Sequence, residues 1–145
     1  MAGSRSSELE RYFPGLASST YEVTSPATDD YNCIAWAAGD DTRWWEPDPL
    51  GVYDWPASSP REYTVDAYVR AYEDAGYTRD RLAASGDERV AIFVKDGVPQ
   101  HAARELPAGR WTSKCGELED VSHELNALEG GFYGTAAILL SRSTE

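Results

Sequence analysis

The chain has 145 residues, with 25 acidic and 13 basic side chains, and carries a formal net charge of -12. This charge argues against binding to nucleic acid or to anionic membranes, because neither phosphate attraction nor counterion release would favour association. The length predicts a single domain over residues 1–145, with a core large enough to fold without disulfides or metal ions. The N-terminus has no apolar signal segment and no long apolar run follows, so the expected location is the cytoplasm. Export by a route without a signal peptide stays open.

The N-terminal segment is predicted to be only lightly structured. Residues 1–7 are small and polar and are expected to form a disordered tail. Residues 7–13 favour a short helix capped by Ser6 or Ser7 and ended before Pro14. The Ser- and Thr-rich residues that follow predict a loop with one short strand over residues 21–24.

The next helix is predicted to begin close to Cys33. Asp29 or Asp30 is the expected N-cap, which places Cys33 near the third helical position, and Gly39 suits a left-handed C-cap. The residues between Cys33 and Gly39 leave no polar face, so this helix should be buried. A thiol in the first helical turn feels the positive end of the helix dipole, which favours the thiolate. Cys33 is therefore the predicted nucleophile.

Residues 40–60 combine prolines with tryptophans and predict a long irregular loop over the core. Trp44, Trp45 and Trp55 are the large aromatic side chains of this loop. They are interpreted either as the wall of a substrate groove or as a cover for the Cys33 helix.

The second half of the chain predicts one helix followed by an antiparallel sheet. Residues 64–77 show the apolar spacing of an amphipathic helix capped by Thr64. Residues 116–131 are predicted to be a loop with a short helix over 121–128, broken at Gly130-Gly131. Four strands are predicted, over residues 89–95, 98–106, 110–115 and 133–142. The first of them is apolar on both faces, which is typical of an interior strand. The predicted class is α+β, with the N-terminal helices packed on an antiparallel sheet of about four strands.

A cysteine nucleophile needs a base and a group that orients the base. His101 lies on a predicted strand and is the expected base. If residues 107–109 form the turn to the next strand, Leu106 faces Arg110 and His101 faces Cys115. Ser113 is then the diagonal neighbour of His101. Asp120 is the better orienting group by chemistry, although its position does not follow from the sequence.

The remaining expected roles concern the oxyanion and the two cysteines. Backbone amides at the start of the Cys33 helix would hold an oxyanion, and Asn32 would either assist or cap the helix. A disulfide between Cys33 and Cys115 is disfavoured, since no export signal is present.

The order of these residues resembles a known architecture. A cysteine opening a buried helix, a histidine on an antiparallel strand and a polar residue on the next strand resemble the papain-like fold, closest in order to the NlpC-type peptidases and amidases. In that family the third residue is usually histidine, asparagine or glutamine, and its position lands on Ser113, where this chain departs from the pattern.

A second resemblance rests on short strings. Residues 31–37, 101–104 and 111–114 are similar to a small, poorly characterised bacterial domain family, in which Asp120 with His123 and Tyr133 with Gly134 would also recur. This second resemblance implies no specific substrate.

The function predicted from these residues is a thiol hydrolase or acyl transferase acting on an amide, peptide or isopeptide bond of a protein or peptide substrate, with no cofactor. The catalytic residues would be Cys33 and His101 with Asp120, or else Ser113 or His123. A non-enzymatic module that grips a peptide with Trp44, Trp45 and Trp55 is one alternative. The other is a zinc site; its ligand set would be Cys33, His101, Cys115 and His123.

Overall fold

The computed structural model describes residues 6–79, 87–106, 110–115, 119–129 and 133–143. Within these residues the chain forms three short α-helices and seven strands. The helices are α1 (Ser7–Tyr12), α2 (Cys33–Ala37) and α3 (Val65–Asp74). The strands are β1 (Glu22–Ser25), β2 (Thr78–Arg79), β3 (Glu88–Lys95), β4 (Val98–Glu105), β5 (Trp111–Lys114), β6 (Asp120–His123) and β7 (Thr135–Arg142). Short 3-10 turns, Pro14–Leu16 and Leu125–Leu128, complete the description.

The described strands form one antiparallel sheet in the order β1-β6-β5-β4-β3-β7-β2. Strand β3 pairs with β4 on one side and with β7 on the other. Its consecutive residues Val90, Ala91, Ile92 and Phe93 are all buried. The prediction of an interior strand that is apolar on both faces is therefore confirmed.

The sheet separates two apolar cores, because neighbouring residues of a strand point to opposite faces. On one face, Val90 and Ile92 pack with residues of α2 and α3, and Cys33 belongs to this core. On the other face, Ala91 and Phe93 pack with residues from the N-terminal segment and from the 3-10 turn Leu125–Leu128. We call these the helix face and the N-terminal face.

The predicted fold class is wrong. The described chain is a β-rich fold built on a seven-stranded antiparallel sheet with three short helices, rather than helices packed on a sheet of about four strands. The resemblance in residue order to the papain-like, NlpC-type peptidases stays a prediction. The predicted helix over residues 121–128 is replaced by β6 and a 3-10 turn. Strand β6 forms because it completes the backbone hydrogen bonds between β1 and β5, which no local pattern of four residues reveals.

Several other predicted elements are confirmed within the described residues. Helix α1 is capped by Ser6, helix α3 is capped by Thr64, and the predicted strands over residues 21–24, 89–95, 98–106, 110–115 and 133–142 form to within three residues at each end. Residues 40–60 form no helix or strand beyond an isolated bridge between Trp45 and Asp54. The predicted turn at 107–109, the Gly130-Gly131 break and most of the N-terminal tail lie outside the described residues.

The start of α2 differs from the prediction. Asn32, not Asp29 or Asp30, is the N-cap, and its side-chain oxygen accepts a hydrogen bond from the Ala35 N–H. Cys33 is therefore the first helical residue rather than the third. The cap moves because Asn32 also bonds to the backbone of a distant loop, a contact that only the tertiary structure provides.

The pairing of β4 with β5 decides the geometry of the site. Leu106 donates its N–H to the Arg110 carbonyl, and Arg104 pairs with Thr112, so the predicted register is confirmed. The described ladder holds only the pairs Arg104–Thr112 and Glu105–Trp111. Beyond Arg104 the two strands separate, and the sequence-derived pairing of His101 with Cys115 does not form.

No helix among the described residues carries an apolar run long enough to cross a membrane.

Candidate functional site

An open cavity of about 350 Å³ lies beside the first turn of α2. Its walls come from the start of α2, the loop over residues 44–46, α3 and its preceding residue Tyr63, the start of β4, and Tyr133. The lining residues are Asn32, Cys33, Ile34, Trp44, Trp45, Glu46, Tyr63, Tyr68, Val98, Pro99, Gln100 and Tyr133. The predicted nucleophile therefore faces a space that can admit a ligand.

Cys33 is 8% exposed and its thiol is free. Burial raises the pKa of the Cys33 thiol to about 11, against the smaller opposing effect of backbone N–H groups from Ala102, Ile34 and Cys33 itself. The expected stabilisation of the thiolate by the helix dipole is outweighed, because α2 has only five residues and the sulfur is desolvated. Cys33 is thus a neutral thiol near pH 7.

Asn32 holds the cavity wall in place. Its side-chain oxygen accepts from the Trp45 N–H at 3.0 Å and its side-chain amide donates to the Trp45 carbonyl at 2.7 Å. This pair of bonds ties the loop that carries Trp44 and Trp45 to the cap of α2. One of the two amide hydrogens of Asn32 is used in this way.

Beneath the cavity, on the N-terminal face, three buried side chains form a hydrogen-bonded relay. His101 Nε2 lies 2.9 Å from Ser113 Oγ, and Ser113 Oγ lies 2.7 Å from His123 Nε2. His123 Nδ1 lies 2.7 Å from the carbonyl oxygen of Glu124. We call His101, Ser113 and His123 the relay. Ser113 is the neighbour of His101 that the strand register predicts.

The relay determines where each proton lies. The Glu124 carbonyl only accepts, so His123 carries its proton on Nδ1 and accepts from the Ser113 hydroxyl at Nε2. The Ser113 oxygen then accepts from His101 Nε2–H. His101 Nδ1 is left with a lone pair, and this buried atom has no hydrogen-bond partner among the described residues.

Both histidines are neutral near pH 7. Burial lowers the pKa of His101 well below its usual range, and the neighbouring His123 adds to the effect. Burial lowers the pKa of His123 to about 4, although the hydrogen bond to the Glu124 carbonyl acts in the opposite direction. The relay is therefore an uncharged chain that ends in a free imidazole lone pair.

Two contacts connect the relay with Cys33. The N–H of Ala102, the residue after His101, points to the Cys33 sulfur at the place where β4 and β5 have separated. The His101 ring stacks on Tyr133 with 3.9 Å between centroids and 7° between planes, and Tyr133 also lines the cavity with Cys33. Ala102 and Tyr133 thus link the thiol, on the helix face, with the relay, on the N-terminal face.

A family model described as a domain of unknown function (DUF7689) matches residues 22–141. The chain belongs to this family. The search of the curated proteins and the search of the solved structures each found no match. The matched segment begins with β1 and ends within β7, so it contains the cavity and the relay, whereas α1 lies outside it.

Within this DUF7689 domain, Asp120 does not contact the relay. It lies on the helix face, where the Tyr31 hydroxyl donates to it at 2.5 Å and Lys114 is its partner across the strands. Burial raises the pKa of Asp120 despite the hydrogen bond from Tyr31. Among the third residues considered from the sequence, Ser113 is hydrogen-bonded to His101, His123 is hydrogen-bonded to Ser113, and Asp120 lies apart.

The three predicted tryptophans of the DUF7689 domain divide between the cavity and the core. Trp44 and Trp45 line the cavity with Cys33. Trp55 is buried, packs edge-on against Tyr68 with 5.3 Å between centroids, and donates its ring N–H to the Pro60 carbonyl. Trp55 therefore belongs to the core, and it also lines a smaller pocket of about 210 Å³ together with Trp45.

The predicted zinc ligands are not gathered around one point. Among the residues that the structure describes, no three histidine, cysteine or acidic side chains are placed to hold a metal ion. His101 and His123 share Ser113 instead, and Cys115 is a buried free thiol.

Sequence reasoning missed Glu46, Tyr63, Tyr68 and the link from Ser113 to His123. Tyr68 lies on α3 and also packs in the core of the helix face. His123 was assigned to a loop or short helix, so its face could not be derived. The available signal is that Val121 and His123 are two positions apart, which places both side chains on the same face if these residues form a strand.

Proposed function

We propose that this DUF7689 domain is a cysteine-dependent hydrolase or acyl transferase that acts on an amide, peptide or isopeptide bond. Cys33 is the nucleophile and His101 is the general base. Ser113 and His123 orient His101. The observation that carries the proposal is the buried Nδ1 of His101, which has no hydrogen-bond partner among the described residues. The relay holds this ring, and the ring stacks on Tyr133, which lines the cavity together with Cys33.

The reaction begins with a neutral pair. Cys33 Sγ attacks the substrate carbonyl while its proton moves to His101 Nδ1, and the S–C bond forms. The tetrahedral intermediate then breaks the C–N bond, and Nδ1 returns the proton to the leaving amine. Water or an acceptor amine attacks the resulting thioester, His101 Nδ1 takes its proton, and the C–S bond breaks with the proton returned to Sγ.

The buried setting favours concerted transfer over a preformed ion pair. With the pKa of Cys33 raised to about 11 and that of His101 lowered, a thiolate–imidazolium pair is not the resting state. Ser113 offers a hydroxyl rather than a carboxylate, so the imidazolium formed during attack gains little stabilisation from the relay. The proton is therefore held on His101 only briefly.

The test uses an activated ester, p-nitrophenyl acetate, because the physiological substrate is not needed to detect acylation. Wild-type protein should release p-nitrophenolate in a burst and carry an acetyl group on Cys33, seen by peptide mass spectrometry. His101→Gln should slow acylation by about 100-fold or more, because the base is removed while a hydrogen-bonding amide remains.

Cys115→Ala is the matched control for the loss of a buried thiol, and it should keep the burst because Cys115 lies outside the cavity. Acetylation of Cys115 at the same rate as Cys33 would overturn the proposal, and so would an unchanged rate in His101→Gln.

The second function is a peptide-binding module without catalysis. It is favoured by the aromatic character of the cavity, where Trp44, Trp45, Tyr63, Tyr68 and Tyr133 contribute side chains. A module of this kind keeps its affinity for a peptide when Cys33 is replaced by alanine and shows no acyl-enzyme. The acylation test above separates the two functions.

A further inference from the structure

We propose that the cavity beside Cys33 binds a cationic side chain, a lysine or arginine of a peptide substrate, through Glu46 and the aromatic rings around it. The inference deepens the proposed function and rests on it in treating the cavity as the substrate site. It concerns binding, however, and its test needs no catalysis.

Glu46 is the charged group of the cavity. Among the described lining residues it is the only one with a formal charge near pH 7, and no lysine or arginine lines the space. Glu46 is half-buried and belongs to the loop that Asn32 ties to α2. A carboxylate in a partly desolvated wall attracts a cation more strongly than one on an open surface.

Both carboxylate oxygens of Glu46 are held by the ligand-facing aromatic residues. The Trp44 ring N–H donates to Oε1 at 3.1 Å, and the Tyr63 hydroxyl donates to Oε2. The hydrogen bond from Tyr63 raises the pKa of Tyr63 to about 12, because the neighbouring carboxylate disfavours a phenolate. The negative charge is therefore kept in one place and is not neutralised by a cation among these contacts.

The rings around Glu46 suit a cation with an aliphatic stem. Trp44, Trp45, Tyr63 and Tyr68 all line the cavity, and ring faces attract lysine and arginine head groups while their flat surfaces pack against methylene groups. A neutral aliphatic side chain would gain only the packing. A carboxylate would be repelled by Glu46, and the net charge of -12 adds a general preference for cations.

The same cavity carries the thiol, so the cationic residue would lie next to the bond that Cys33 attacks. Its specificity would be for a peptide or isopeptide bond close to lysine or arginine. Trp55 takes no part, because it lies in the core rather than in the cavity wall.

The experiment compares two neutral-backbone probes, Nα-acetyl-lysine N-methylamide and Nα-acetyl-norleucine N-methylamide, which differ only in the terminal ammonium group. Dissociation constants are measured by calorimetry on wild-type protein and on Cys33→Ala, which cannot be acylated. We expect the lysine probe to bind about tenfold more tightly than the norleucine probe in both proteins, and the difference to shrink as salt is added.

Glu46→Gln should reduce the lysine preference to about twofold or less, because it removes the charge and keeps the size of the side chain. Glu73→Gln, an identical charge change at an exposed position on α3 outside the cavity, should leave the preference unchanged. Equal affinity for the two probes, a preference that survives Glu46→Gln, or no binding of either probe would each overturn the inference. A lysine preference without any acylation of Cys33 would instead contradict the proposed function and leave this inference standing.

Discussion

The two faces of β5 and β6 carry two buried polar clusters of opposite character. On the N-terminal face, His101, Ser113 and His123 form an uncharged hydrogen-bonded chain. On the helix face, the acidic Asp120 accepts from Tyr31 and lies across from Lys114, whose amino group is 5.5 Å from the centre of the Tyr31 ring. Ser113 and Lys114 are consecutive residues, so one step along β5 passes from the first cluster to the second.

The two clusters differ in charge and in the way their hydrogen bonds are arranged. In the relay the direction of each hydrogen bond fixes the direction of the next one. The lone pair on His101 Nδ1 accepts no hydrogen bond from any described group. In the second cluster Asp120 Oδ2 accepts from the Tyr31 hydroxyl, while the buried Oδ1 has no hydrogen-bond partner among the described residues. The first cluster thus ends at a neutral imidazole that can accept a proton, whereas the second holds a buried acidic group beside a phenol and a lysine.

The largest expected change in stability follows from removing Asp120 from the cluster on the helix face. Asp120→Ala removes the acceptor of the Tyr31 hydroxyl and the negative neighbour of the buried Lys114. We expect the free energy of unfolding to fall by about 3–5 kcal/mol, measured by urea denaturation at pH 7. Asp29→Ala, at an exposed position, should change it by about 0.5 kcal/mol or less. A loss below about 1 kcal/mol for Asp120→Ala would show that this cluster is not structural.

The second prediction uses pH to act on the relay. The folded-state pKa of His123 is about 4, below the unfolded value, so the unfolded chain binds the proton first and stability falls as pH falls from about 6.5 to about 4. Protonation of His123 alone should lower the free energy of unfolding by about 3 kcal/mol between these two pH values. The lowered pKa of His101 has an effect in the same direction. Asp120 has a raised pKa, so its protonation on acidification acts oppositely. The check is urea denaturation at several pH values; a constant free energy of unfolding between pH 7 and pH 5 would contradict the relay.

The smallest expected stability effect is the loss of the central link of the relay. Ser113→Ala leaves His101 Nε2 and His123 Nε2 without their partner in a buried site. We expect a loss of about 2 kcal/mol in the free energy of unfolding, because two neutral groups lose hydrogen bonds and no charge is left unpaired. Ser122→Ala is the control, because Ser122 is half-buried on the neighbouring strand β6. It should lower the free energy of unfolding by less than Ser113→Ala does. An acylation rate of Cys33 unchanged by Ser113→Ala would show that the relay does not orient His101.

Much of the local structure could be predicted because its causes are local. Thr64 caps α3, and the consecutive apolar residues of β3 are buried on both faces of the strand, as the residue pattern indicates. The register of β4 with β5 followed from the length of one turn, and it led from His101 to Ser113. Strands β2 and β6 were not predicted, because strands of two and four residues are stable only through their neighbours in the sheet.

The site was predicted in part for the same reason. Cys33, Trp44 and Trp45 share the cavity, and Ser113 lies against His101, as inferred from the residues. Asp120 was favoured by its chemistry, yet the strand that carries it turns the carboxylate to the opposite face. The pKa of Cys33 was expected to be lowered by its place in a helix, and burial raises it instead.

The sequence alone determined which side chains could do chemistry and where the main helix and the interior strands begin. Those properties depend on residue type and on periodicity over a few neighbours. Only the tertiary structure decided the seven-stranded sheet, the face on which Asp120 and His123 lie, and the protonation of Cys33 and His101. Strand partners and desolvation depend on residues distant in the chain, so no local pattern contains them.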